Sequence, residues 1–262
     1  MKNIKVFSCS LQGARPSNED KHVIYENNNC KIYCIFDGHG GKEVSTLLSQ
    51  VLPQNLINLK KITLSSVKKI YDLIQNHIKK QSYANSAGST ACVVILYLDN
   101  QNNKQPIKTN QSNNSIKMYC INVGDSRCVL YYDNKIIQMS EDHKPTNTNE
   151  MQRITTMGGK VRRDGSEYRI GDLSVSRAFG DCNNKFTYPN PDITSKILNK
   201  SCFFIIGCDG LYDVLNNHEI CFEVNNWINK NRKSDISRVL AQQAIKAGST
   251  DNVSVIVGII NF

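Results

Sequence analysis

Two short apolar runs of this chain lead into the same dipeptide, Asp-Gly, and this feature constrains the fold more than any other. Residues 30–36 lead into Asp37 and residues 202–208 lead into Asp209, and a glycine follows each aspartate. Each run is short, continuous and rich in Ile, Phe and Cys, which is typical of a buried strand. A carboxylate at the end of an interior strand is costly unless a base, a hydrogen-bond network or a metal ion neutralises it. A shared cation is the simplest explanation for two such ends in one domain, but the alternative that each Asp-Gly is only a turn stays open at this point.

The order of the remaining patterns predicts an α+β protein. Strands are predicted at residues 4–10, 31–37, 89–98, 116–123, 127–132, 202–208 and 253–260. Helices are predicted at residues 65–80, 217–228 and 235–247, with shorter ones after Gly41 up to Pro53 and at residues 149–157. Many strands follow one another through short turns, which favours mainly antiparallel sheets over a doubly wound βαβ array. Since no linker or internal repeat interrupts the pattern, we expect a single domain over residues 1–262.

The cysteines and the apolar runs bear on where the protein works. The chain has 10 cysteines, but no Cys-x-x-Cys pair, and most of them lie within apolar strands, where cysteine acts as a small core residue. A reducing location, cytoplasmic or nuclear, is therefore expected. No apolar run approaches the roughly 18 residues that a membrane span requires, and the N-terminus has no signal-peptide pattern. We therefore predict no membrane partner.

The net charge of +9 leaves nucleic acid as an alternative partner. The Lys and Arg residues are spread along the chain and are densest on a helical pattern between residues 60 and 80. A spread of this kind is typical of a solvated face, and no reading helix or aromatic platform accompanies it. We therefore predict no specific nucleic-acid partner.

Acidic residues at predicted turns form the main candidate site. They are Glu19, Asp20, Asp37, Asp125, Asp209, Asp213 and Asp251. Sites made only of oxygen ligands prefer Mg²⁺ or Mn²⁺. Two such ions can activate a water molecule and hold a phosphate for in-line attack. Next to these acids, His39 could protonate a leaving alkoxide, and Arg15 could bind phosphoryl oxygens in bidentate fashion. The chain has no G-x-S-x-G elbow and no H-E-x-x-H helix, and a covalent mechanism is not expected.

Eight motifs in a fixed order extend this picture over nearly the whole chain. They are Gln12-Gly13-x-Arg15-x-x-Asn18-Glu19-Asp20, Phe36-Asp37-Gly38-His39-Gly40-Gly41, Gly88-Ser89-Thr90-Ala91, Val123-Gly124-Asp125-Ser126-Arg127, Asp142-His143-Lys144-Pro145, Leu173-Ser174-Val175-Ser176-Arg177-Ala178-Phe179-Gly180-Asp181, Cys208-Asp209-Gly210-Leu211-Tyr212-Asp213 and Asp251-Asn252-Val253-Ser254. In content and order they resemble the metal-dependent Ser/Thr protein phosphatases, the PPM or type 2C family. Any one motif alone is a weak signal, whereas eight in order are highly specific.

The resemblance implies a fold and a set of residue roles. The fold is a central β-sandwich of two antiparallel sheets flanked on both sides by pairs of α-helices. Two Mg²⁺ or Mn²⁺ ions are implied, with a weaker third. The implied metal ligands are Asp37 as the bridge, Asp209 and Asp251 at the first ion, the Gly38 carbonyl with Glu19 and Asp20 at the second, and Asp125 and Asp213 with Asp209 at the third. Arg15 resembles the phosphate clamp and His39 the general acid, and residues 157–172 fall where the family carries a flap.

These implications predict a metal-dependent protein serine/threonine phosphatase. It would hydrolyse phosphoserine and phosphothreonine in phosphorylated proteins by direct attack of a dimetal-bound hydroxide, without a covalent intermediate, and it would act as a monomer. The alternative from a different class is a non-catalytic relative that uses the same fold to bind phosphoproteins. Its signature would be missing carboxylates at Asp37, Asp209 or Asp251, all of which are present here.

Overall fold

The computed structural model describes residues 3–26, 30–98, 115–165 and 167–262. Its strands are β1 (Asn3–Leu11), β2 (Lys21–Glu26), β3 (Cys30–Phe36), β4 (Gly38–His39), β5 (Gly88–Ser89), β6 (Ala91–Leu98), β7 (Ile116–Val123), β8 (Arg127–Tyr132), β9 (Lys135–Gln138), β10 (Arg162–Asp164), β11 (Glu167–Arg169), β12 (Phe179–Gly180), β13 (Asp192–Leu198), β14 (Cys202–Gly207) and β15 (Val253–Asn261). Its helices are α1 (Glu43–Ile57), α2 (Leu64–Ile78), α3 (Thr148–Thr156), α4 (Asp209–Tyr212), α5 (Asn217–Asn229) and α6 (Ile236–Lys246). Residues 99–115 are rich in Asn and Gln, which predicts a polar surface loop, but apart from Ser115 they lie outside the described residues.

Two five-stranded antiparallel sheets form the frame. The strand order is β1-β15-β14-β8-β9 in one sheet and β13-β7-β6-β3-β2 in the other. A smaller sheet of two-residue strands, in the order β12-β5-β4, lies beside them, and β10 and β11 form a separate hairpin. The predicted α+β class with antiparallel sheets is confirmed.

The core lies in three apolar clusters that alternate with the sheets. One cluster joins residues of β3, β6 and β7 to residues of β8, β14 and β15, so the two large sheets face each other through it. Within it, the rings of Tyr33 and Phe204 lie 5.2 Å apart. The opposite faces of β3 and β6 pack against α1 and α2. The opposite faces of β14 and β15 pack against α5 and α6.

The first helix extends beyond its predicted end. It continues through Pro53 to Ile57, so the prediction that it stops at Pro53 is wrong. Proline removes one intrahelical hydrogen bond and usually ends or kinks a helix. Here Leu52 and Leu56 are both fully buried against the sheet. Burial of these side chains offsets the lost bond and keeps the last turn helical.

The cysteines are used as core residues, as predicted. None of the ten forms a disulfide, nine of them are buried, and Cys182 is partly buried. In the described part of the chain no helix is long and apolar enough to span a bilayer.

Candidate active site

Carboxylates from three separate loops converge where the two large sheets end. Asp37 directly follows β3, Asp125 lies in the turn between β7 and β8, and Asp209 opens α4 immediately after β14. One oxygen atom from each of these three carboxylates lies within 4.8 Å of the others. Asp37 also forms a second group of this size with Asp20 and the Cys208 thiol. Asp37 is therefore shared by two groups, and in each group the ligand atoms are close enough to bind one cation.

Hydrogen bonds around Thr90 hold Asp37 in place. The backbone N–H of Asp37 donates to Thr90 Oγ1 over 3.1 Å, and the N–H of Thr90 donates to the Asp37 carbonyl over 2.9 Å. Thr90 Oγ1 also lies 2.7 Å from the Ser126 hydroxyl, next to Asp125. The end of β3 is thus tied to the β7–β8 turn through one buried side chain, and the two carboxylates keep a fixed separation.

The clustered carboxylates resist ionisation together. Loss of hydration, followed by repulsion from Asp209, raises the pKa of Asp37 well above its usual range. Burial raises the pKa of Asp20 to about 7 and that of Asp209 to about 6, and neighbouring aspartates add to both shifts. Burial and Asp209 likewise raise the pKa of Asp125. A divalent cation would reverse these shifts, because it stabilises the ionised forms.

Asp20 supplies an independent test of whether a cation fits. The residue is only 4% exposed. Ser254 and Cys208 lie near enough to offset part of the burial-driven rise in the pKa of Asp20, but neither of its carboxylate oxygens has a hydrogen-bond partner in normal geometry. A buried carboxylate without a partner is costly and calls for an explanation such as an ion. The Cys208 thiol in the group with Asp20 stays neutral because burial raises its pKa, so it is a poor metal ligand. The remaining donors are carboxylate oxygens, which fit Mg²⁺ or Mn²⁺.

The other predicted ligands lie in or beside the same cavity. A cavity of about 340 Å³ is lined by Arg15, Glu19, Asp37, Gly38, His39, Asp125, Asp209, Asp213 and Asp251. Glu19 uses one carboxylate oxygen to accept the N–H of Gly41 over 3.1 Å. Asp251 pairs with the Arg15 guanidinium at 2.6 Å and belongs to neither group of close carboxylates. The side chain of Arg15 is 57% exposed, so its guanidinium faces solvent at the cavity mouth.

Lys144 lies between the two residues assigned to the third ion. Its ammonium group is 2.7 Å from Asp213 Oδ1 and 3.8 Å from Asp125 Oδ2. Burial disfavours the charge of Lys144, but the two carboxylates outweigh it and raise the pKa of the lysine. Lys144 stands in the Asp-His-Lys-Pro motif, and the sequence alone assigned it no role.

The flap region forms one wall of the cavity. Residues 157–172 contain the hairpin of β10 and β11, and Glu167, Arg169 and Asp172 line the cavity. Arg169 pairs with Glu167 at 2.6 Å and with Asp164 at 3.3 Å. Within this flap region, β10 and β11 are thus mostly exposed and paired with each other, and Arg169 joins the two strands through Asp164.

Cys9 and Arg15 have the Cys-x5-Arg spacing of the thiol-based phosphatases. This spacing raises the alternative of a covalent mechanism with Cys9 as the nucleophile. Cys9 lies inside β1, paired with Val255 of β15, and packs in the cluster beneath α6. Burial raises the pKa of its thiol, which opposes the thiolate form that a nucleophile needs. Cys9 is 6% exposed and is not among the residues that line the cavity. This arrangement argues against a cysteine nucleophile.

Comparison with known proteins decides the family. The model of the protein phosphatase 2C family matches residues 4–253. The chain belongs to the protein phosphatase 2C family. The predicted family and the predicted enzyme class, a protein phosphatase, are therefore confirmed. The family is metal-dependent, in keeping with the carboxylates that cluster here.

Individual relatives are similar to this protein over most of its chain. A rice protein (Oryza sativa subsp. japonica) named "Probable protein phosphatase 2C 59" is 32% identical over 261 residues, which cover 95% of this chain and 73% of the relative. "Protein phosphatase 2C homolog 1" of Saccharomyces cerevisiae is 30% identical over 254 residues, 93% of this chain and 88% of the yeast protein. A crystal structure of a phosphatase from Toxoplasma gondii has the same fold, with a TM-score of 0.84 at 23% identity over 98% of this chain and 93% of that one.

The carboxylate cluster predicts how stability depends on pH and on metal. Folding raises the pKa of Asp20 to about 7 and that of Asp209 to about 6, so the folded protein holds protons that the unfolded chain releases above about pH 4. The contribution of these groups to the stability of the metal-free protein therefore falls as the pH rises from about 4 to about 7. We expect Mn²⁺ to raise the Tm by about 5 °C more at pH 7.5 than at pH 5.5.

Thermal unfolding in EDTA and in Mn²⁺ at the two pH values checks this prediction. In EDTA, the Asp20→Asn variant should lose less stability between pH 5.5 and pH 7.5 than the unchanged protein, because it removes one raised carboxyl group. Equal Mn²⁺ shifts at both pH values would contradict the prediction.

Proposed function

We propose that this protein is a metal-dependent phosphatase of phosphoserine and phosphothreonine in proteins, and that it acts without a covalent phosphoenzyme. The observation that carries the proposal is the convergence of Asp37, Asp125 and Asp209 within 4.8 Å, beside a fourth, buried carboxylate at Asp20. Family membership adds support, because the relatives are named protein phosphatases.

The ligand set is proposed from this chain's own residues. Asp37 belongs to both groups of close side chains and would contact both ions, with Asp209 at one and Asp20 at the other. Glu19, Gly38 and Asp251 line the same cavity and would complete the coordination. Asp125 and Asp213, which flank Lys144, would serve a weaker third site. Ions held here supply an activated water molecule and neutralise phosphate charge. We propose Mg²⁺ or Mn²⁺ because all the proposed ligands are oxygen donors.

Two further side chains would act on the substrate directly. Arg15 stands at the cavity mouth with a largely exposed guanidinium, which suits bidentate binding of phosphoryl oxygens. Asp251 pre-orients this guanidinium through their 2.6 Å ion pair. His39 lines the cavity next to Asp37 and would give a proton to the serine or threonine oxygen as the P–O bond breaks.

Turnover of a phosphoserine peptide tests the proposed function. We expect phosphate release with Mn²⁺ or Mg²⁺, loss of release in excess EDTA, and recovery when metal is added back. A peptide with unphosphorylated serine provides the blank. Release that continues in EDTA, or no release with either metal, would contradict the proposal.

We further propose that the protein acts as a monomer in the cytoplasm or nucleus. Ten cysteines without a disulfide, nine of them buried, suit a reducing compartment. Light scattering on the purified protein should give the mass of one chain, and a tagged copy in cells should partition with soluble or nuclear fractions. A mass of two chains would contradict the first part, and secretion would contradict the second.

A further inference from the structure

The small sheet beside the active site brings a second side chain to His39. In this sheet β5 pairs with β4 on one side and with β12 on the other, so residue 181, just after β12, comes across from residue 39. His39 Nε2 lies 2.7 Å from Asp181 Oδ2. Asp181 is 5% exposed, whereas the His39 side chain is 29% exposed and lines the cavity. The carboxylate is therefore buried behind the imidazole ring.

The backbone under Asp181 is held in an unusual conformation. Asp181 has φ of +46°, in the left-handed region that residues other than glycine seldom adopt. Strain of this kind persists only where the surroundings enforce it. Here buried Gln75 clamps the preceding residue: its Nε2 donates to the Gly180 carbonyl over 2.9 Å, and its Oε1 accepts the Gly180 N–H over 2.9 Å. The N–H of Asp181 donates to the Ala87 carbonyl.

The residue between the two side chains leaves room for their contact. Gly88 of β5 pairs with both His39 and Gly180. A Cβ atom at residue 88 would overlap both Asp181 Oδ2 and His39 Nε2. The close approach of the carboxylate and the imidazole therefore depends on glycine at this position.

From this geometry we propose that Asp181 is a positioning residue for His39 in the phosphatase reaction. Asp181 accepts the Nε2–H of His39 and fixes the orientation of the ring. The other ring nitrogen, Nδ1, then delivers its proton to the serine or threonine oxygen as the bond between that oxygen and phosphorus breaks. Asp181 itself neither gains nor loses a proton and does not touch the substrate. This inference rests on the proposed function of the site.

The second cavity next to His39 fits this role. A groove of about 690 Å³ is lined by His39, Asp181, Asn85, Asn184 and Phe186. His39 thus lies between the carboxylate cavity, which would take the phosphate, and this groove, which would take neighbouring residues of the peptide. A proton donor for the leaving oxygen belongs at such a boundary.

The inference is tested with two substrates whose leaving groups differ in whether they must be protonated. A phosphoserine peptide releases an alkoxide that must be protonated, whereas p-nitrophenyl phosphate releases a stable phenolate. At saturating Mn²⁺, Asp181→Ala should lower kcat on the peptide by about 10- to 100-fold, with KM nearly unchanged and with kcat on p-nitrophenyl phosphate within about threefold. Asp181→Asn retains an oxygen acceptor and should restore part of the loss. Asp72→Ala, which removes an aspartate that bonds Tyr188 on the surface, is the matched control and should change neither rate.

A double variant separates this role from a purely structural one. Asp181→Ala combined with His39→Ala should be no slower on the peptide than His39→Ala alone, since the aspartate acts only through the histidine. Equal losses on both substrates, or losses that multiply in the double variant, would overturn the positioning role. If circular dichroism shows that Asp181→Ala does not fold, the Asp181→Asn variant is used in its place. The measured quantity is again the loss of kcat on the peptide relative to the loss on p-nitrophenyl phosphate. If the protein without substitutions hydrolyses neither substrate with Mn²⁺, the proposed function itself is refuted.

Discussion

Replacing Asp209 with asparagine should lower the turnover of a phosphoserine peptide by about a thousandfold at saturating Mn²⁺. Asp209 belongs to the carboxylate group that includes Asp37 and Asp125, and the side chain lies at the first residue of α4, where the backbone fixes it. Asparagine keeps the size of the side chain but removes its negative charge. Loss of one charged ligand weakens the site and with it the activation of water and the neutralisation of phosphate.

Two measurements decide whether this loss comes from the metal site. Calorimetric titration of the Asp209→Asn variant with Mn²⁺ should show weaker binding than the unchanged protein. The control is Asp133→Asn in the β8–β9 turn, where the aspartate pairs with Lys200 on the surface and where asparagine tolerates the positive φ. We expect normal turnover and normal Mn²⁺ binding for the control. Full activity in Asp209→Asn would refute the assignment.

Replacing His39 with alanine should separate two classes of substrate. We expect about a hundredfold loss of kcat on the phosphoserine peptide, in the range of a typical general acid. On p-nitrophenyl phosphate the loss should stay below about fivefold, because that leaving group departs without a proton. Parallel assays on the two substrates at saturating Mn²⁺ measure the ratio.

A histidine away from the cavity supplies the control. His77 lies in the last turn of α2, on the exposed side, and its substitution by alanine should leave both rates unchanged. Should His39→Ala slow both substrates equally, His39 would no longer qualify as the proton donor.

The interior strands could be predicted from sequence, whereas most strands at the sheet edges could not. β3, β6 and β14 are buried on both faces, so they appear as continuous apolar runs. β2, β9 and β13 lie at sheet edges, and their exposed residues interrupt the apolar pattern. These three were missed for that reason. Helix α2 was predicted within two residues, because its apolar positions keep helical spacing around a buried stripe.

The candidate site, too, could be predicted from sequence only in part. Asp37 and Asp209 could be singled out because each directly follows a buried strand, and the structure brings both into one cluster with Asp125. Asp181 could not be linked to His39, because the contact spans 142 residues and depends on strands of only two residues each. Strands that short have no periodicity to detect. Lys144 was quoted within a motif, but its position between Asp125 and Asp213 depends on tertiary packing.

The position of Lys144 has a consequence for any assay that depletes divalent ions. Its ammonium group already neutralises part of the charge of Asp125 and Asp213. This compensating charge is covalently attached, so chelators do not extract it and dialysis does not dilute it. A third ion would have to displace this tethered ammonium group from both Asp125 and Asp213, whereas Asp37, Asp209 and Asp20 form no ion pair in the described structure. The third metal site, at Asp125 and Asp213, should thus be the last to bind metal during a titration and the first to lose it.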